Sequence, residues 1–201
     1  VDVERFWQVV GQARAAAGGE ADRAVTEGRS SAVAEALVTE LMRLPLAEIA
    51  VFGRLLDEIC DRANRWNLCA ACWLIEYGFL SDDGFSSFRA GLIRLGRAAF
   101  DQAVLDPDSL AAHPAVREVS VGDGDRWIGD EQLLFAAAKA YENVSGDADA
   151  FWEAVESAQH VTVVPARDPL AEDRWDLRDR SEWRRRLPEL DALFASRRRR
   201  P

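Results

Sequence analysis

Apolar residues recur at helical spacing along most of this chain. Val3, Phe6, Trp7, Val10, Ala13 and Ala17 share one face of a helix expected over residues 3–17, with Asp2 placed to cap it and Gly18-Gly19 to end it. The polar stretch up to Ser30 has no such period and reads as a loop. Ser31 then caps a second helix in which Val33, Leu37, Leu41 and Leu44 line up. Pro45 stops that helix and suits the start of the next, because its fixed φ and missing N–H fit a first turn. In this third helix Ile49, Phe52, Leu55, Leu56, Ile59, Cys60 and Ala63 face one way and Arg54, Asp57, Glu58 and Asp61 the other, with Trp66 extending the apolar face.

Residues 68–75, LCAACWLI, are apolar on all sides, the pattern of a helix buried all round, and Tyr77-Gly78 closes it. Ser81 reads as the N-cap of a helix expected to run to about Val104, with Asp82 and Asp83 in the first turn, where the helix dipole favours acids. The prolines and glycines of residues 106–129 predict a long surface connection with at most one helical turn at 109–112. Further helices are expected over 130–143, around Phe151 to Ala158, and at the C-terminal end through Trp183, Leu187, Leu190, Leu193 and Phe194. Only 160–165, HVTVVP, has β-branched density, enough for one short extended piece. The expected fold is therefore all-α: a single compact domain of about seven or eight helices over residues 1–196. Residues 66–77 are expected at its centre with the first and last helices docked on them, and 197–201 form a basic tail.

Composition narrows the class. Hydrophobic residues at 48% and charged residues at 30% belong to a folded chain. No run is apolar enough for a membrane span, and VDVERFW does not resemble a secretory leader, so the cytoplasm is the expected location. Formal net charge is -10. It is unevenly spread: from Arg178 onward the arginines outnumber the acids by a local +5, leaving -15 on residues 1–177. An acidic body repels nucleic acid and anionic membranes, while the tail offers a contact for nucleic acid or for the acidic body of a second copy.

Candidate chemistry concentrates in the central stretch. Arg89 falls about 40° from Phe85 on a helical wheel, inside the apolar sector of Leu92, Phe88, Gly96 and Phe100, so its guanidinium must snorkel out or be paired. Asp82 is the nearest expected partner and Glu76 another. One reading makes Asp82, Asp83 and Arg89 a polar site for an anion or a metal, although a double carboxylate without a third ligand is a poor metal set, or for acid–base work on a substrate. The plainer reading makes them a helix cap and a structural ion pair. Cys69-Ala-Ala-Cys72 sits inside an apolar run rather than at a helix N-terminus, which reads as core packing instead of redox or zinc chemistry. His113 and His160 are the only histidines and have no triad logic around them. Seven tryptophans are many for 201 residues. Trp7, Trp66 and Trp73 read as core. Trp127, Trp152, Trp175 and Trp183 are free to line a groove or, beside arginines, to stack within the chain. No metal set and no cofactor motif is present in the pattern.

The segments FWQVV, RANRWNLCAACWLI, SDDGFSSFRAGLI, LGRAAFDQAVLDPDSL, AAKAYENVSG and RLPELDALF, in that order, resemble the bacterial domain of unknown function 4240 family. The resemblance implies a mostly helical bacterial protein and carries no activity. It also marks departures: Asn67 where the family pattern tends to an acid, Cys69 where it tends to a bulky aromatic, and Phe79-Leu80 in place of a Gly-Cys type pair. Arg65, Trp66, Asn67, Ser81, Asp82, Asp83 and Arg89 form the candidate binding set. The expected function is a non-catalytic module that binds a protein or peptide partner. The alternatives are an enzyme or small-molecule site on Asp82, Asp83 and Arg89, then nucleic-acid contact through the tail.

Overall fold

Local signals set the boundaries of the first elements as the periodicity requires. Asp2 accepts the Arg5 amide at 2.8 Å and opens α1 (Val3–Ala17). Ser31 accepts the Ala34 amide at 3.0 Å and opens α2 (Ala32–Leu41). Pro45 precedes α3 (Leu46–Arg62), whose face from Ile49 to Cys60 is buried as its spacing predicts. The computed structural model describes residues 1–26, 29–78, 81–122, 124–158 and 174–195. The extended piece expected at 160–165, His160, Phe79-Leu80 and the 197–201 tail lie outside these residues.

The chain is mostly helical and forms one domain. Among the described residues there are twelve α-helices, more than the seven or eight expected, because several apolar patterns that read as one helix are broken. α3 does not run on through Trp66: it stops at Arg62, and α4 (Trp66–Ile75) starts afresh after extended Arg65. The helix expected from 82 to 104 is two, α5 (Asp82–Arg94) and α6 (Arg97–Leu105), parted by Gly96 at φ +94, a conformation that a residue with a Cβ rarely adopts. The 130–143 helix divides at Phe135 into α8 (Glu131–Leu134) and α9 (Ala136–Ser145). After α10 (Ala150–Ser157), the C-terminal helix divides before Pro188 into α11 (Arg180–Arg186) and α12 (Pro188–Leu193).

Residues 106–129 are not the long surface connection that their prolines and glycines predict. Pro107 and Pro114 stand at first helical positions, where a missing N–H costs nothing, and start a 3-10 turn (Pro107–Ala112) and α7 (Pro114–Val121). Leu110, Ala115, Val116, Val119 and Ile128 enter the core. Arg126–Trp127 then forms β2, which pairs antiparallel with β1 (Val25–Thr26), Val25 opposite Trp127. This pairing joins two stretches about a hundred residues apart and leaves no mark in local periodicity.

α4 is buried through Leu68, Ala70, Ala71, Cys72, Leu74 and Ile75, and packs against α5, α7 and α12. The last helix docks on it as expected, but the first does not: α1 packs chiefly on α2. α3 and α2 hold α9, and α5 lies between α6 and α8. Among the described residues no helix is long and apolar enough to cross a membrane.

Candidate functional site

The candidate residues of the central stretch part company in the structure. Ser81 accepts the Gly84 amide at 3.0 Å and starts α5. Asp82 and Asp83 are exposed in its first turn, as the cap reading requires. Arg89 does not pair with Asp82 or Glu76. It reaches across to α3, meeting Asp61 at 3.2 Å and the Cys60 carbonyl at 3.4 Å, with Ser86 Oγ at 3.1 Å and its guanidinium 5.2 Å from the Phe85 ring centre. The stem covers apolar surface while the head finds a carboxylate that is 70% exposed. The wheel placed Arg89 correctly but could not show which neighbouring helix would supply the acid.

Glu76 instead turns to the other side of α5. Its Oε1 accepts the Ile128 and Gly129 amides at 2.9 and 3.0 Å, clamping the end of the β2 segment onto the end of α4. The Ile128–Gly129 backbone presses so closely on α5 that a Cβ at Gly91 would stand 2.1 Å from the Ile128 carbonyl oxygen. Asp130 follows, 2% exposed, and caps α8 through the Leu133 amide at 3.3 Å. Its second oxygen accepts the Ser31 hydroxyl at 2.5 Å and lies 3.7 Å from Nε of Arg94, which is 1% exposed. Arg94 also donates through Nη1 to the Ala21 and Arg23 carbonyls at 3.3 and 2.9 Å. One buried ion pair thus ties the loop after α1, the start of α2, the end of α5 and the start of α8.

Burial shows in the ionisation of these groups. It pushes Asp130 up from the ordinary aspartate value, against the pull of Ser31 and Arg94, and it lowers Arg94 despite the attraction of Asp130. Nearby, Val25, Thr26, Arg29, Cys72, Glu76, Ser87, Trp127 and Asp130 line a cleft of about 490 Å³. Trp127 packs edge-on to Tyr77, 5.3 Å between ring centres. A second cleft of about 230 Å³ shares Val25, Thr26, Arg29 and Ser30 with the first, and reaches Arg94, Arg23 and Ala32. Asp82, Asp83 and Arg89 line neither cleft.

The thiols behave as core atoms. Cys60 and Cys72 are buried and Cys69 half-buried, and burial pushes Cys60 up to about 12, Cys69 up, and Cys72 well up. Among the described residues no three His, Cys, Asp or Glu side chains converge as a metal set. His113 caps α7, its Nδ1 accepting the Ala115 amide at 3.3 Å, and stands 3.9 Å from Asp22.

The family model described as Protein of unknown function (DUF4240) matches residues 1–143. The chain belongs to that family. No curated protein and no solved structure matches it. The DUF4240 match contains both clefts and all of the candidate binding set, and ends before RLPELDALF. Beyond it, residues 174–195 cover one side of α4. Trp66 donates to the Trp175 carbonyl at 3.2 Å, and the Trp175 indole donates to Asn67 Oδ1 at 2.9 Å. Trp73 and Trp183 stack at 5.4 Å, Trp175 meets Trp183 edge-on at 4.7 Å, and Arg174 lies over Trp66 at 5.3 Å. Arg65 donates to the Val104 carbonyl at 3.3 Å. In this fold Arg65, Trp66 and Asn67 therefore hold parts of their own chain. Asp108 completes the dock by accepting the Glu189 and Leu190 amides at 3.0 and 2.9 Å, capping α12 from another segment.

Sequence reading missed Asp130, Arg94, Ser31 and Trp127 as one group. Arg94 lies about 180° from Phe85 on the wheel, the side that reads as solvent. The available signal was the run Ala90-Gly91-Leu92-Ile93, apolar all round, which marks a helix with neighbours on both sides.

Proposed function

We propose that this member of the DUF4240 family is a non-catalytic binding module whose protein or peptide partner inserts an anchoring segment beneath Trp127. One observation carries the reading. The cleft there is of a size that takes a side chain or two, and the ionisable groups in its floor are committed to holding the fold. Glu76 Oε1 is engaged by two backbone amides, Asp130 by Ser31, the Leu133 amide and Arg94, and the Cys72 thiol is held far from its thiolate. A general acid, base or nucleophile needs a pKa near the working pH and a face turned to substrate. Groups engaged in this way supply shape and fixed dipoles instead.

A small-molecule ligand is the second reading, favoured by the volume of about 490 Å³. Native mass spectrometry of the protein isolated from its own host separates the two, because a partner adds a protein-sized mass and a metabolite a few hundred daltons. For the binding-module reading the expected result is a stoichiometric protein-sized addition that Gln132→Trp, a change at an exposed cleft residue, abolishes without altering the thermal melt. Retention of the partner by Gln132→Trp contradicts it. Nucleic-acid contact through the 197–200 arginines predicts salt-sensitive binding lost on deleting them.

A further inference from the structure

We propose that the second cleft, about 230 Å³, is an oxyanion site in which Arg94, Arg29 and the first turn of α2 receive the carboxylate or phosphate of a ligand. The inference stands on this cleft alone, whatever occupies the larger one. Arg94 is the first ground. A guanidinium has five N–H donors, and here only Nη1 makes hydrogen bonds. Nε approaches Asp130 no closer than 3.7 Å, and neither Nε nor Nη2 has a hydrogen-bond partner among the described residues. Buried donors left without acceptors are rare, because each costs the desolvation of the group. Arg94 is 1% exposed and forms part of the cleft lining; Nε and Nη2 are closed off from solvent, so a ligand oxygen reaches them only as the cleft wall gives way, and it then meets a donor already stripped of water.

The first turn of α2 is the second ground. Ser31 caps the helix and Ala32 lines the cleft, so the turn whose amides have no intrahelical acceptor borders the same space. Arg29 lines the cleft with no acid partner among the described residues, whereas Arg23 is held by Glu118 at 2.8 and 2.9 Å. Glu20 and Glu35 also line it, but both are exposed and screened. Asp130, 3.7 Å from Arg94, balances the buried charge. The inner end of the cleft thus offers an anion hydrogen-bond donors, while the exposed Arg29 supplies the attraction at a mixed rim. An anionic group enters first, and a hydroxyl or ammonium on the same ligand meets Glu20 or Glu35.

The test is a pair of NMR titrations of the full chain, one with sodium phosphate and one with sodium acetate, at ionic strength held constant with sodium chloride. The expected result is a saturable shift of the Arg94 Nε–H and Ala32 amide signals with one or both anions. Saturation by phosphate alone assigns a phosphate-bearing ligand, and by acetate alone a carboxylate. Arg29→Ala should weaken the apparent affinity about two- to fivefold, the scale of one exposed charge. Ala32→Pro, tolerated at a first helical position, should weaken it by removing one amide donor. Shifts that never saturate, that chloride reproduces, or that survive both substitutions unchanged overturn the proposal. Both variants leave the Arg94–Asp130 pair in place, so each folds independently of the answer.

Discussion

Arg89 and Arg94 stand five residues apart on α5 and meet opposite fates. Arg89 keeps 14% of its side chain in solvent and pairs with an aspartate that is 70% exposed. Arg94 keeps 1% and pairs with an aspartate at 2%. The first pair sits at a seam between two helices, where water screens both charges. The second sits where four segments meet, where the same charges act through protein and where removing one strands the other. An arginine on the apolar face of a wheel is therefore not by itself the energetically important one. What decides is whether the partner is also buried, and that depends on which elements pack around the helix.

The largest expected effect follows directly. Arg94→Met should destabilise the fold by about 3–5 kcal/mol, measured by urea unfolding, because Asp130 is left buried and uncompensated and the Ala21 and Arg23 carbonyls lose a donor. The loss should shrink as pH falls. Burial already raises the Asp130 pKa above the ordinary aspartate value of 3.8, so the native state takes up its proton before the unfolded state does. That group's contribution is fully present below the unfolded value and lost as pH rises through the folded one. Urea curves for Arg94→Met should therefore approach wild type as pH is lowered from about 7 toward about 4. A loss independent of pH would show that the Asp130 charge is not its cause.

Gly91→Ala should come next, at about 1–3 kcal/mol by the same measurement, since its methyl would strike the Ile128 carbonyl, which is fixed backbone. Arg89→Met should cost about 1 kcal/mol or less, and its coupling to Asp61 should fall further as salt is raised. The smallest effect belongs to His113. Burial lowers its pKa from 6.5, outweighing the attraction of Asp22, while Arg94 and Arg14 lower it further. Neutral His113 thus supports the fold above about 6.5, and that support is lost as pH falls through the depressed value. His113→Gln should flatten the slope of stability against pH in that window.

The two arginines also mark how far the chain could be read in advance. The helical class, the buried 68–75 segment, the Ser31 and Ser81 caps and the cysteines as core residues all follow from spacing, because each depends on neighbours within one or two turns. The β1–β2 pairing, the docking of Trp175 and Trp183 on α4, and the Asp108 cap of α12 join residues about 80 to 110 apart. No local pattern encodes them. Pro107 and Pro114 misled for a different reason: the same residue that breaks a helix also begins one, and only the backbone that follows tells which. The Arg94–Asp130 pair adds a further difficulty to its non-local reach, since Arg94 sits on the face of α5 opposite the obvious one.

Two double-mutant cycles, measured by urea unfolding on one preparation, test this contrast most directly. One pairs Arg94→Met with Asp130→Leu and the other Arg89→Met with Asp61→Ala. The buried pair should couple by more than about 1.5 kcal/mol, with the double variant recovering much of what each single change loses. The seam pair should couple by about 0.2–1 kcal/mol. Equal coupling in the two cycles, or stronger coupling at Arg89 and Asp61, would contradict the account.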